Sequence, residues 1–283
     1  MSRQRRDISR SLGIAALLLL APWQAARAEA WESTVTPFTP GSFPTPRPVQ
    51  VKYGFGWNGF TAATADVRFS KAPGRLLFNA TGGTSGLAKK LWDFEAKHSA
   101  TADASSLRPL QVLEHETIRG KELTTALTFT PAGVISHREE RKGSAAKSKT
   151  RQFEFPDVLS LNSAFLLLRS QALTPGSVQR VVVYPSTSAY LCTITARGHE
   201  QITVPTGSYD AIKLDLQLSK IGKKRELLPH KKFRGATVWL SDDSDRLVLR
   251  IETQVFIGTV FAELQSVQFD SAPATAEDKP KAR

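Results

Sequence analysis

Residues Ala236–Leu264, ATVWLSDDSDRLVLRIETQVFIGTVFAEL, decide the fold class. They read as three strands and one tight turn: Ala236–Leu240, the polar run Ser241–Asp245, then Leu247–Val255 and Ile257–Leu264. Leu247, Leu249 and Ile251 alternate with Val248, Arg250 and Glu252, so one face is set for burial and the other carries charge. Gly258 interrupts the last run, where a bulge or a close backbone contact is expected. This is an antiparallel meander, and it carries no chemistry of its own.

The same alternation runs outward through the chain. Val49, Val51, Tyr53, Phe55 and Trp57 face one way, which places Trp57 in the expected core. Asn58-Gly59 follows, a strong hairpin signal because both positions tolerate positive φ. Ala63, Ala65, Val67 and Phe69 return, Pro73-Gly74 turns, and Leu76–Thr81 runs back. Leu110–Thr117, Lys121–Thr130, Val134–Arg141, Gln179–Val183, Tyr190–Arg197, Glu200–Val204 and Tyr209–Leu218 extend the series. Two stretches have helical spacing instead. One is Leu87–Lys97, with Leu87, Leu91 and Phe94 on one face; the other is Ser160–Ala172, apolar enough to pack on the sheet.

Single-sided alternation argues for antiparallel pairing, because strands buried on both faces read as continuous apolar runs. A sheet of about a dozen strands is expected to curl or close. The expected fold is therefore mainly β: an antiparallel, strongly curled sheet forming a barrel or half-barrel, with one or two short helices.

Composition sets the address. Residues 1–28 have a basic head (Arg3, Arg5, Arg6, Arg10), the apolar run Leu12–Ala21, and Ala26-Arg27-Ala28 before a cleavage point at Glu29. That is the pattern of a signal peptide, and the apolar run is too short to span a bilayer. Ile8 and Ser9 match a twin-arginine signal poorly, which favours the general export route. No cysteine follows the run, so no lipoprotein anchor is expected. The sequence predicts a periplasmic protein with no transmembrane segment. Residues 29–48, with five prolines, read as a linker; 49–270 as one β-rich domain; and 271–283 as a disordered tail.

The formal charge is +12, of which the five Arg and one Asp of residues 1–28 carry +4, leaving +8 on the exported part. Such a protein meets anionic lipid head groups and acidic glycans, while nucleic acid is a poor partner outside the cytoplasm. Cys192 is the only cysteine, so the core and not a disulfide must hold the fold. Its alternation with Tyr190 and Ile194 marks it as a small buried hydrophobe.

Catalytic and metal motifs are weak. His98, His115, His137, His199 and His230 show no metal-ligand spacing, and alternation separates His115 from both Glu114 and Glu116. Ser85 falls one residue short of a nucleophile elbow, and Ser144-Ala145-Ala146-Lys147 lies in a basic loop without its companion motifs. His199-Glu200 reads as a charge pair at a hairpin end, and Asp242, Asp243 and Asp245 as turn formers. No cofactor and no metal site are expected.

Two basic clusters remain. Arg138, Arg141, Lys142, Lys147, Lys149 and Arg151 surround one loop; Lys220, Lys223, Lys224, Arg225, Lys231, Lys232 and Arg234 surround another. Their plain reading is solvated hairpin tips. Their functional reading is one anion-binding rim made of Lys147, Lys149, Arg151, Lys223, Lys224, Arg225, Lys231 and Lys232, with the barrel taking an acyl chain.

Four segments in order resemble the DUF3108 family, an exported bacterial domain of unknown function. They are Tyr53–Phe60 (YGFGWNGF), Phe155–Ser160 (FPDVLS) ahead of Leu168-Arg169, Glu200–Tyr209 (EQITVPTGSY), and Val238–Asp243 (VWLSDD) through Arg250-Ile251-Glu252 to Ile257-Gly258. Ala62-Ala63 departs from the family pattern, which has a glycine after the first hairpin. The resemblance implies a β-rich envelope protein and no particular reaction. The functional expectation is an exported, non-catalytic envelope protein that binds an anionic amphiphile or a cell-envelope polymer. The alternative is a hydrolase or transferase acting on an envelope glycan or lipid.

Overall fold

The computed structural model describes residues 31–229, 235–255 and 258–270. The signal peptide and the C-terminal tail expected from the sequence lie outside these residues. The chain divides into two compact units, residues 1–34 and 35–283. Of the first, a 3₁₀ turn at Trp31–Thr34 is described, with Thr34 Oγ1 donating to Trp31 O at 2.6 Å.

In the second unit, β1 (Val49–Trp57), β2 (Phe60–Ala72) and β3 (Arg75–Thr84) lead into a short helix, α1 (Gly86–Leu91). There follow β4 (Phe94–Asp103), β5 (Pro109–Ile118), β6 (Lys121–Thr130), β7 (Gly133–Lys142), β8 (Ala145–Glu154) and helix α2 (Leu161–Ser170). The chain then forms β9 (Val178–Val183), β10 (Tyr190–Val204), β11 (Gly207–Ile221), β12 (Leu227–Pro229) and β13 (Gly235–Ser241). It ends with β14 (Val248–Val255) and β15 (Gly258–Phe269).

All strands join one antiparallel sheet in the order β8-β7-β6-β5-β4-β3-β2-β1-β15-β14-β13-β11-β10-β9, with β12 on β11. Two meanders are thus stitched together where β15 pairs with β1, Val49 opposite Phe269 and Trp57 opposite Val260.

Helix α2 packs on one face of this sheet. Ser160 caps it, its hydroxyl accepting from Ser163 N at 3.1 Å. Leu167 and Leu168 then enter a cluster with Cys192, Ile194, Leu214, Val238 and Leu240. Each such side chain contributes roughly 1.5–3 kcal/mol on full burial. Cys192 behaves as read: burial pushes its thiol up to about 12.

The proline-rich stretch, expected to be a linker, is extended, and from residue 35 onward it is strapped to the domain. Thr36 exchanges hydrogen bonds with Arg180, Gly41 N donates to Ser170 Oγ, and Phe43 N to Ser170 O. Gly41 lies so near α2 that a Cβ there would stand 2.1 Å from the Ser170 carbonyl oxygen. Arg169, only 1% exposed, clasps the strap: its guanidinium donates to the carbonyls of Pro44 and Asp245.

Several expectations need correction. The sheet is neither closed nor strongly curled, and β8 and β9 are its two edges. After β8, residue Leu159 forms a parallel bridge to Val183, with Leu159 N donating to Val182 O and Tyr184 N to Leu159 O. The connector therefore occupies the edge of β9 that β8 would need for closure. The stretch around Lys147–Arg151, read as a loop, is the edge strand β8, paired along its length with β7. Its Lys and Arg residues suit an edge, where charge discourages pairing with another chain. The first helix stops at Leu91, and Phe94–Asp103 is a strand, because pairing on both sides overrides a short i, i+4 apolar pattern. The two strands read in residues 190–204 are one, kinked by a bulge between Ala196 and Gly198. Trp57 lies on the face assigned to it but is 45% exposed. It is the last residue before a turn, where alternation fixes a face without burying it.

Candidate functional site

The edge of the sheet at β8 faces the β9–β10 connection and the β11–β12 turn across a cleft of about 1090 Å³. Its floor is aromatic. Phe153 stacks at 6.1 Å on Phe155 and at 6.0 Å on Tyr184. Tyr184 is buried, and its hydroxyl is held above its usual pKa, chiefly by that burial.

The walls are cationic. Lys149 and Arg151 come from β8, Lys220 from the end of β11, and Lys223, Lys224 and Arg225 from the turn after it. Only two carboxylates, Glu154 and Glu226, line the same space. The turn is built by its own backbone: Gly222 N donates to Glu226 O at 2.8 Å and Arg225 N to Gly222 O at 3.2 Å. Glu226 is partly engaged, since its carboxylate accepts from Lys224 N at 2.9 Å. A Cβ on Gly222 would stand 2.3 Å from the Glu226 carboxyl group, so that flexible side chain would have to turn aside. Arg225 takes a positive φ of 64°, uncommon for a residue with a side chain, and turns its guanidinium over the Phe153 and Phe155 rings.

Of the eight residues read as an anion rim, Lys149, Arg151, Lys223, Lys224 and Arg225 line this one cleft. Lys147 lies on the same strand, opposite Glu140 and outside the cleft. Lys231 and Lys232 lie outside the described residues. The aromatic floor escaped the sequence reading: Phe153 sits in a stretch taken as a loop, and Tyr184 in a connection with no periodic signal.

Arg151 has the chemistry of an anion ligand. Its Nη1 is buried and has no hydrogen-bond partner among the described residues. An unpaired buried N–H costs about 1–3 kcal/mol, more when charged, and a phosphate or carboxylate oxygen would remove that cost. None of Lys149, Lys220, Lys223 and Lys224 forms an ion pair among the described residues.

A second, apolar cavity of about 280 Å³ lies between α2 and β1–β3, bordered by Val51, Phe55, Phe69, Phe78, Leu161 and Phe165. It shares no lining residue with the basic cleft. The joint arrangement of head group and acyl chain read from the sequence is therefore not assembled in one site.

The other candidates resolve into structure. Asp243 Oδ1 accepts from the Ser241 hydroxyl and from the N–H groups of Asp245 and Arg246, which is turn chemistry. His199 pairs with Asp242 at 2.7 Å, while Glu200 bonds Trp239 Nε1 and Lys213. Glu114 and Glu116, two apart on β5, share the face opposite to His115. Glu114 meets His98 at 3.2 Å, and Glu116 lies 3.9 Å from Arg138, its carboxyl raised chiefly by burial.

An open antiparallel sheet with a helix on one face and a basic cleft at its edge defines the class: a β-rich domain. Residues 49–265 match the family model described as "Protein of unknown function (DUF3108)", and the chain belongs to that family. No curated protein matches it. Among solved structures it is similar to a β-barrel-like protein of the DUF1849 domain of unknown function from Brucella abortus. That pair has 7% identity and a TM-score of 0.56, covering 81% of this chain and 100% of the other, which shows a shared fold. Weaker matches, each covering 81% of this chain, are a candidate exported protein with a YmcC-like fold from Bacteroides fragilis and a candidate lipoprotein from Parabacteroides distasonis. The first has 7% identity, 100% of its own chain covered and a TM-score of 0.35; the second has 11%, 99% and 0.33.

Proposed function

We propose that this domain is an exported, non-catalytic binding protein that holds a multivalent anion of the cell envelope in the basic cleft. The anion is a phosphorylated or carboxylated glycan, or the head group of an anionic amphiphile. What carries the reading is the convergence of two basic segments, distant in sequence, on one space with an aromatic floor. Six cations against two carboxylates make the cleft attractive to a polyanion, and Phe153 and Tyr184 offer apolar surface beneath it. The signal-peptide pattern of residues 1–28 supports a periplasmic address.

The test compares wild type with Lys223→Gln/Lys224→Gln/Arg225→Gln and with Lys149→Gln/Arg151→Gln. Each is titrated with a soluble anionic glycan and with glycerophosphoglycerol, a phospholipid head group free of its acyl chains, over a range of ionic strength. Both variants should bind more weakly. The difference should be largest at low salt, because exposed charges are screened beyond roughly 10 Å at 0.1 M. Neither variant should lose more than about 1 kcal/mol of folding stability. Equal binding by all three proteins, or none by wild type, would reduce these clusters to solvated surface.

A further inference from the structure

Where β1 turns into β2, the chain leaves its largest apolar side chains in solvent. Phe60 is 78% exposed, Leu87 72% and Leu91 71%, and Trp57 and Trp92 are near half. These residues share one neighbourhood. Ser85 N donates to Ala62 O at 3.1 Å, which sets the start of α1 beside β2. Arg119, in the β5–β6 turn, donates to Leu91 O at 3.1 Å and lays its guanidinium 4.4 Å from the Trp92 ring centroid.

Among the described residues, nothing covers Phe60, Leu87 or Leu91. Helix α1 buries none of its residues, and Leu87 and Leu91 stand one turn apart on its outward side. Six residues are too few for a helix to be stable by itself in water. The tips are open: a Cβ on Gly59, Gly86 or Gly120 would meet nothing within 4 Å.

Charge at this end is not neutral. Lys89 pairs with Asp93 and Glu95, and Lys121 with Glu140, so these carboxylates are answered. Lys90, Arg119 and Lys142 add positive charge on or beside the same tips, Lys142 opposite Lys121 in the β6–β7 register.

We infer that this end of the domain docks into the interfacial layer of an anionic lipid bilayer. The fit is chemical. Separate protruding tips that carry Phe and Leu, two tryptophans at the half-exposed level, and flanking cations suit a soft, layered partner with an apolar interior and anionic surface. A folded protein partner would need a continuous complementary face instead. No helix among the described residues is long and apolar enough to cross a membrane, so the contact is peripheral. The inference is independent of the basic cleft, whose residues it does not use.

The test is sedimentation of the protein with vesicles of phosphatidylethanolamine and phosphatidylglycerol, and with neutral phosphatidylcholine vesicles. Wild type should partition onto the anionic vesicles, less onto neutral ones, and less at higher salt. Its tryptophan emission should shift to the blue and be quenched by lipids brominated on the acyl chain. Phe60→Ser/Leu87→Ser/Leu91→Ser should lose about tenfold or more of this partitioning, since interfacial binding scales with buried apolar area. The cleft variant Lys223→Gln/Lys224→Gln/Arg225→Gln should keep it. No partitioning by wild type, or equal partitioning by the tip variant, would overturn the inference. So would lipid-free self-association of wild type that the tip variant abolishes. Should the tip variant fail to fold, the quenching of wild type decides alone, and its absence overturns the inference.

Discussion

The guanidinium of Arg225 lies 5.3 Å from the ring centroid of Phe153, joining the turn after β11 to the edge strand β8. No ladder connects these two parts of the sheet. The contact is supplemented by a hydrogen bond from Arg225 to the Glu154 carbonyl, so one side chain both frames the cleft and supplies part of its charge.

Because Arg225 is exposed, its removal should cost little stability. Arg225→Ala should lower the unfolding free energy by about 0.5–1 kcal/mol, the range for a cation over an aromatic face in contact with water. Arg225→Lys should show a similar loss, since an ammonium lacks the planar group that stacks, yet it should retain low-salt anion binding. Urea titration beside a binding assay separates the two roles.

Arg169 should behave in the opposite way. Its pKa is lowered to about 10, chiefly by burial and then by the neighbouring Arg246 charge. It satisfies the carbonyls of Pro44 and Asp245, while Arg246 satisfies those of Arg169 and Gln171. Arg169→Ala should cost about 3–5 kcal/mol, because buried partners are left unpaired. Proteolysis should then reach residues 35–48 first, as the strap loses its clasp. A loss below about 1 kcal/mol in urea unfolding would contradict this account.

His98 gives the fold a pH dependence. Its Nδ1 lies 3.2 Å from Glu114 and its Nε2 2.9 Å from Asn162 Oδ1, and only the imidazolium can donate to both. Burial works against the cation, but the hydrogen bonds to Glu114 and Asn162 and the charge of Glu114 outweigh it, and the pKa is raised. The folded chain therefore binds this proton more tightly than the unfolded one. The stabilisation is fully present below the unfolded value of 6.5 and is lost as pH rises through the higher folded value. Unfolding by urea should show wild type losing more stability than His98→Gln between about pH 6 and pH 8. Parallel curves for the two proteins would contradict it.

Trp57→Ala should cost about 1 kcal/mol or less, well below the roughly 3–5 kcal/mol of a buried aromatic. The comparison is Leu264→Ala, a fully buried position on the same strand pair, which should cost about 2–5 kcal/mol. Thermal melts of the two variants settle the difference.

The sequence by itself determined the antiparallel class, most of the strands and their faces, and the place of α2. Val49 and Val51, set between the exposed Gln50 and Lys52, declare a buried face because period-two alternation is a local property of the extended chain. The alternation expected from Leu247 onward is broken, since a bulge opposite Leu240 brings Val248 to the same cavity as Ile251. Family membership was also legible, in short segments kept in order. What alternation could not supply is depth. It assigns Trp57 to the same face as Val49 and Val51, and only the packing of other elements leaves the first half exposed and the other two buried. Strand β8 stayed hidden because its lysines and arginine satisfy no apolar pattern; its pairing with β7 is a tertiary fact. The open edge was likewise decided by Leu159 bridging to Val183, a contact between connector and strand that no periodicity encodes. The basic clusters were visible as composition, but their meeting over Phe153 and Tyr184 depends on where the two edges of the sheet lie. That placement is set by the whole register of the sheet and not by any single segment.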